Sequence, residues 1–355
     1  MADVWLDAVT PKDALLAYCL LSPLRKKKLD ILVTAKKQTQ TTQILQILDI
    51  PYVQIGSYGN TLKEKLVEEQ KRILGFVDLF EETGTPRVLW THGGVDAVRT
   101  AFGLQIPIVY SNDTLHAKHV AKLVSPLVDW LIAPKPFGKS WSKFGVPRFR
   151  IKLYDGVEEV AWIKNASPKL PPEIEEISQQ GKLILFRNVE HRASYFQKSE
   201  IDTSKLLGQL SKMAKIICLP RYEEEKRELK KIENVWVPEK PVITHHLLSA
   251  IDLVVGSGGT VCRESALLGI PTISFHFWDV IAKYLHKKGF PIEYATEEEK
   301  IINLAQEYLK KPEERQGDAV RLLQTLESPV GLTVEYLEKC LDLEKYSQRG
   351  LEAVF

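Results

Sequence analysis

Short apolar runs alternate with longer amphipathic stretches along almost the whole chain. Val4-Trp5-Leu6-Asp7 predicts a first strand, and the segment from Pro11, whose fixed φ suits a first helical position, to about Leu24 predicts the helix after it. Leu29–Val33, Tyr52–Ile55, Val88–Thr91, Ile106–Tyr110 and Trp130–Ala133 continue the strand series. Helices are expected between them at about Gln38–Leu48 and, with regular Lys/Glu spacing, Leu62–Glu81. Strands alternating with helices of this length mean βαβ units and a mainly parallel sheet.

The pattern falters between about Tyr154 and Gly181, where Ser167-Pro168 and Pro171-Pro172 stand in a polar stretch, and then restarts. Leu183–Phe186, Ile216–Leu219, Val235–Pro238, Leu253–Val255 and Thr272–Phe275 predict a second βα series. A break followed by a restart is the form of a domain boundary. The expected organisation is an N-terminal domain over residues 1–155, a linker over 156–180 and a C-terminal domain over 181–328. Helices over 329–355 are expected to return to the first domain; one continuous sheet is the alternative.

Composition narrows the partners. The 355 residues fit about two domains. Lys and Arg number 48 against 46 Asp and Glu, a formal +2, which gives no support to nucleic acid as the main partner. No apolar run approaches the roughly 20 residues that span a bilayer, and residues 1–20 carry acidic charge where a leader would be basic. A cytoplasmic protein without a transmembrane segment is expected. Cys19, Cys218, Cys262 and Cys340 are dispersed, so buried thiols are expected rather than a disulfide framework or a zinc site. The adjacent His245-His246 lack a third ligand, and no metal is expected.

The most informative segment runs from Ile251 to Pro271. An apolar strand enters a turn, Gly256-Ser257-Gly258-Gly259, then a helix, then Gly269-Ile270-Pro271 and another strand. Glycines let a ligand approach the backbone, and the free N–H groups of the following helix make a phosphate site. Thr260 is the expected N-cap, and Glu264 lies one turn further on the same face, where a carboxylate can accept hydrogen bonds from a ribose diol. The segment is neither the G-x-G-x-x-G fingerprint nor a P-loop. A tight turn with Glu264 supporting the helix start is the plainer reading.

Open α/β sheets bind ligands beyond the carboxyl ends of their strands. Arg187 follows Leu183–Phe186 and Arg221 follows Ile216–Leu219, so both are candidates to meet phosphate oxygens; otherwise they are solvated loop arginines. In the N-terminal half, His92 ends the strand of Trp90-Thr91-His92-Gly93-Gly94 and is a candidate acid or base, or a satisfied loop histidine. Asp113 follows the next strand and would orient His92 and raise its pKa. Asp7, at the end of the first strand, is a third candidate carboxylate or a cap leading to Pro11. The basic run Arg25-Lys26-Lys27-Lys28 is a solvated turn or a weak contact to an anionic membrane surface.

Ser257-Gly258-Gly259, then Glu264 and Gly269-Ile270-Pro271, resemble the nucleotide-binding motif of the GT-B superfamily. Its members include UDP-sugar glycosyltransferases and non-hydrolysing UDP-N-acetylglucosamine 2-epimerases. The whole chain resembles a mainly archaeal family of that superfamily of unknown function, through Trp5-Leu6-Asp7 with Thr10-Pro11, Asp113-Thr114 with His116-Ala117, Tyr154-Asp155-Gly156-Val157 with Glu159, and Pro220-Arg221. The resemblance implies a GT-B-like α/β fold, two Rossmann-like parallel-sheet domains facing a central cleft that holds a nucleotide sugar. It places the diphosphate, UDP-linked by expectation, on Ser257, Gly258, Gly259 and Thr260, and the ribose on Glu264. The spacing from Ser257 to Glu264 is similar to that of the glycosyltransferase that forms lipid II, and a Glu-Ala-Gly-Leu-Arg motif of the epimerases is absent.

The expected activity is therefore glycosyl transfer from a nucleotide diphosphate sugar in glycoconjugate or polysaccharide synthesis, with no bound cofactor. Arg187 and Arg221 would face the leaving diphosphate, and His92 or Asp113 would be the base. The acceptor is undefined, a lipid-linked one being compatible with a peripheral place at the membrane. Sugar-nucleotide epimerisation and non-catalytic nucleotide-sugar binding are the alternatives.

Overall fold

The computed structural model describes residues 1–37, 39–189, 201–220, 223–240, 242–276, 279–310 and 316–352. It divides into two compact units, one of residues 1–161 with 327–355 and one of residues 162–326. The division falls inside the polar stretch, which carries short helices at Val160–Ile163 and Pro172–Ser178.

In the first unit the strands are β1 (Val4–Ala8), β2 (Ile31–Lys37), β3 (Val53–Ser57), β4 (Val88–Thr91), β5 (Ile108–Ser111), β6 (Trp130–Pro134) and β7 (Ile151–Tyr154). They pair in parallel in the order β3-β2-β1-β4-β5-β6-β7. The order reverses between β1 and β4, where Asp7 stands beside Thr91, so the carboxyl ends of these two strands form the switch-point crevice. β1 is buried along its whole length, which is why it reads as an apolar run. Trp5 packs edge-on against Phe76 and Phe80 of the helix Leu62–Thr83, with ring centroids 4.6 and 4.9 Å away.

The second unit holds β8 (Leu183–Arg187), β9 (Lys215–Leu219), β10 (Val235–Trp236), β11 (Leu253–Gly256), β12 (Thr272–Ser274) and β13 (Ile292–Tyr294). Their parallel order is β10-β9-β8-β11-β12-β13, with the reversal between β8 and β11. Phe186 and Phe275 stack in its core at 5.8 Å.

Two strands escape the pattern reading, β7 and β13; both are short and carry charged residues. Two others start later than the apolar run suggests. Lys28 at φ +58° and the bond from Leu29 N–H to the Leu24 carbonyl still belong to the helix end, so β2 begins at Ile31. Ile106 likewise donates to the Ala101 carbonyl, and Pro107 has no N–H to offer.

The helix Pro329–Glu352 belongs to the first unit. Its entry is tied to the end of β7 by Glu327 N–H to the Asp155 carbonyl at 2.9 Å and by Asp155 N–H to the Glu327 carboxylate at 2.5 Å. A Cβ at Gly156 would lie 2.0 Å from the Glu327 carbonyl oxygen, so only glycine fits there. The four cysteines are free thiols, and burial pushes those of Cys19, Cys218 and Cys340 up to about 12. Among the described residues, no helix is long and apolar enough to cross a membrane.

Candidate functional site

The crevice of the first unit is built from chain ends that the sheet brings together. Thr10 caps the helix Pro11–Lys26, and Asp13 completes the capping box. Asp13 Oδ2 accepts the N–H groups of Val9 and Thr10 at 3.0 and 2.9 Å, which leaves Oδ1 facing His92 Nδ1 at 3.0 Å. His92 follows β4, and its carbonyl accepts from Asn112 Nδ2 at 2.9 Å in the loop after β5. Asp113 is next to Asn112, and Glu158 and Glu159 lie in the loop after β7. His92 Nε2 lies 2.9 Å from Glu158 and 3.5 Å from Asp113. Lys12 Nζ closes the group at 2.5 Å from Asp113, 2.6 Å from Glu158 and 3.3 Å from Glu159.

The cluster thus joins Asp13, Asp113, Glu158 and Glu159 to Lys12 and His92, and His92 is only 6% exposed at its side chain. Burial alone would push the imidazole toward neutrality. The Glu158 charge, with hydrogen bonds to Asp113, Asp13 and Glu158, outweighs burial and holds its pKa well above 6.5. Burial opposes ionisation of Asp13 too, but its bond to His92 and the His92 charge hold it below the usual carboxylate range. His92, Asp113 and Glu158 each present a potential metal-ligand atom, all within 4.8 Å of one another. The Lys12 ammonium stands against the same two carboxylates, in the place a cation would take.

Asp7 is not a third carboxylate of this group. Both of its oxygens are engaged by Arg72 of the helix Leu62–Thr83, and Thr34 donates to it at 2.7 Å. Arg72 also meets Asp96 at 2.7 Å, and Lys36 meets the other oxygen of Asp96 at 2.7 Å. Asp7, Arg72 and Asp96 are fully buried, an ionic lock under the crevice. Gly94 packs onto it so closely that a Cβ there would stand 2.4 Å from Asp7 Oδ2.

In the second unit, the Gly-rich turn follows β11 at the strand-order reversal. Ser257 N–H donates to the Arg187 carbonyl at 3.0 Å, and Ser257 Oγ donates to the Asn188 carbonyl at 3.0 Å. Gly258 and Gly259 hold φ of +100° and +78°, a region that glycine occupies freely. The helix runs Thr260–Leu267 with Gly259, not Thr260, as its N-cap. The cap position shifts by one because the chain needs a positive φ there. No side chain caps this helix among the described residues, so no capping side chain there takes up its first-turn N–H groups, as an anion site requires.

Glu264 is 1% exposed, and Oε1 accepts the Trp162 indole N–H at 2.7 Å. His245 Nδ1 lies 3.8 Å from the same oxygen. The neighbouring His246 is pushed down to about 4 by burial, then by His245 and Lys169. Arg187 donates from Nη1 to the carbonyls of Leu219 at 2.8 Å and Pro220 at 3.3 Å, tying the ends of β8 and β9 together. Arg221 lies outside the described residues. Of the basic run, Lys27 pairs with Glu338 at 2.7 Å.

Lys12, Asp13, Glu158, Arg72 and Trp162 were not singled out by residue pattern. Lys12 and Asp13 read as helix-start residues, and Arg72 reads as one more cation on a Lys/Glu-rich helix. Glu158 follows β7, the strand that escaped the pattern; placing that strand would have marked its end as a ligand loop.

Residues 2–342 match the family described as a protein of unknown function, DUF354. The chain belongs to this family. It is 29% identical over 320 residues to the uncharacterized protein MJ0665 of Methanocaldococcus jannaschii, covering 87% of this chain and 92% of that protein. Among solved structures, the UDP-GlcNAc 2-epimerase of M. jannaschii in complex with UDP-GlcNAc and UDP superposes with a TM-score of 0.67 at 16% identity, over 90% of this chain and 98% of that one. The spinosyn forosaminyltransferase SpnP superposes with a TM-score of 0.63 at 15% identity, over 96% and 99%. The DUF354 chain therefore has the GT-B fold of two Rossmann-like parallel-sheet domains that glycosyltransferases and 2-epimerases share.

Proposed function

We propose that this DUF354 protein binds a nucleoside diphosphate sugar, UDP-linked, and transfers its sugar to an acceptor hydroxyl in the cytoplasm. The observation that carries the reading is the uncapped helix start at Gly259, at the strand-order reversal, with the buried Glu264 carboxylate four residues beyond the first helical residue. The N–H groups and the positive end of that helix suit a diphosphate, and a carboxylate on the same face suits a ribose. As the acceptor oxygen bonds to the anomeric carbon, the bond from that carbon to phosphate breaks and the nucleoside diphosphate leaves. The helix start offsets its charge without a metal.

The acceptor proton needs a base. With His92 held as a cation, the base falls to a carboxylate, Asp113 or Glu158, while His92 and Lys12 stabilise the charge around it. Asp13 keeps His92 oriented through Nδ1. Arg187 supports the site by bracing the strand ends. Epimerisation is a second reading, favoured by the number of carboxylates around His92, which could serve both faces of a sugar.

A melting-temperature screen over nucleotide sugars tests the proposal, since a ligand that binds only the folded state raises the transition by mass action. The stabilising donor, incubated with a panel of acceptors, should release nucleoside diphosphate only when an acceptor is present. Acceptor-independent appearance of a sugar epimer would establish the second reading. No stabilisation by any nucleotide sugar would end both.

A further inference from the structure

We infer that Trp162 is the positioning residue that makes this site selective for a ribose diol over a dideoxyribose; this rests on the nucleotide reading of the Gly-rich turn. Glu264 is nine-tenths buried and more, yet among the described residues its carboxylate has no cationic side chain in hydrogen-bond contact. The adjacent Arg263 is turned away into an ion pair with Asp279, and His245 stands off at 3.8 Å. Among the described residues, the side-chain hydrogen bond to Glu264 comes from a neutral donor, the Trp162 indole N–H on Oε1 at 2.7 Å. Trp162 is itself 5% exposed, so the ring cannot swing freely.

This arrangement has a consequence for the second oxygen. With Oε1 pinned, the carboxylate cannot rotate to spread its contacts. Oε2 is left buried and without a hydrogen-bond partner among the described residues. A desolvated carboxylate oxygen is unfavourable until a donor reaches it. As a carboxylate oxygen it accepts hydrogen bonds. The complementary ligand is a hydroxyl donor held near the helix start, which is what the diol of a ribonucleoside diphosphate presents. A ligand without those hydroxyls would leave Oε2 unpaired, and sites that lose a designed partner discriminate strongly.

The test compares UDP with 2′,3′-dideoxyuridine diphosphate by titration calorimetry on the full chain. The wild type should prefer UDP by about tenfold or more. Trp162→Phe keeps the ring and removes the N–H; it should cut that preference to within about threefold while dideoxy affinity stays within about twofold. A Trp162→Phe chain that keeps the full preference overturns the role of Trp162. A wild type that fails to bind UDP overturns the underlying nucleotide reading, whereas one that binds both ligands alike overturns this inference alone; both results are seen without any variant. Should the variant not fold, the wild type still decides. Its Trp162 indole N–H resonance should shift on adding UDP and not on adding the dideoxy analogue, and an unmoved resonance overturns the inference.

Discussion

Asp13 holds His92 by Nδ1 at 3.0 Å and thereby aims the other ring nitrogen at Glu158, 2.9 Å away. An imidazole between two carboxylates is favoured in its protonated form.

The folded pKa of His92 is raised above its ordinary 6.5. A group shifted this way contributes stability that is complete below about pH 6.5 and is lost as pH rises through the folded value. The stability advantage of wild type over His92→Asn should be largest in mild acid and shrink on the alkaline side. Urea denaturation of both chains across pH 5.5–9.5 measures it. A difference that grows with pH would contradict the cationic assignment.

Asp113 is a candidate base touched by Lys12 and His92. Asp113→Asn should lower turnover with the identified donor and acceptor by about a hundredfold or more, the usual scale for a positioned base. Nucleotide affinity should stay within a few fold, because the turn that would bind it is in the other unit. Wild-type turnover in this variant would remove Asp113 from the reaction.

The Arg72 lock predicts a purely structural phenotype. Arg72→Met leaves Asp7 and Asp96 buried without their shared guanidinium, and breaking such a pair costs about 3–5 kcal/mol. Chemical denaturation should show that loss. A change under about 1 kcal/mol would mean that the buried charges are compensated in another way.

What was readable in the chain follows from how each feature is encoded. Strands such as β1 and β11 are buried on both faces, so continuous apolar runs reveal them. The Gly-rich turn is local, and its residues sit together in sequence. The ionic cluster has no such signature, because Lys12, His92, Asp113 and Glu158 meet only through the strand order. The partner of Asp7 is equally invisible along the chain: Asp7 stands at its strand end, and Arg72, 65 residues away, engages both of its oxygens.

Gly259 isolates the backbone contribution. Among the described residues, no atom beyond the adjoining chain lies within 4 Å of a Cβ built there, so Gly259→Ala meets strain at φ +78° without a clash with them. With ψ at −155° the residue lies in a region essentially reserved for glycine, so the expected cost is about 1–3 kcal/mol of stability, together with weaker UDP binding as the helix-start N–H groups shift. Gly208→Ala is the control. It lies in the helix Thr203–Leu210 with open space around it and should stabilise by about 0.5–1 kcal/mol. Denaturation curves and UDP titrations of both variants test this; equal behaviour would contradict the role of the positive-φ turn.

Binding of a nucleoside diphosphate by the Gly-rich turn and Glu264 is measured by titration calorimetry of UDP into wild type and Glu264→Ala. The variant also strips the Trp162 N–H of its buried acceptor, so some stability, about 1–3 kcal/mol, should be lost as well. Wild type should bind saturably at one site per chain, and the folded variant should bind about ten- to a hundredfold more weakly, the scale of a hydrogen bond to a charged group. No UDP binding by wild type, or equal affinity in the two chains, would contradict it.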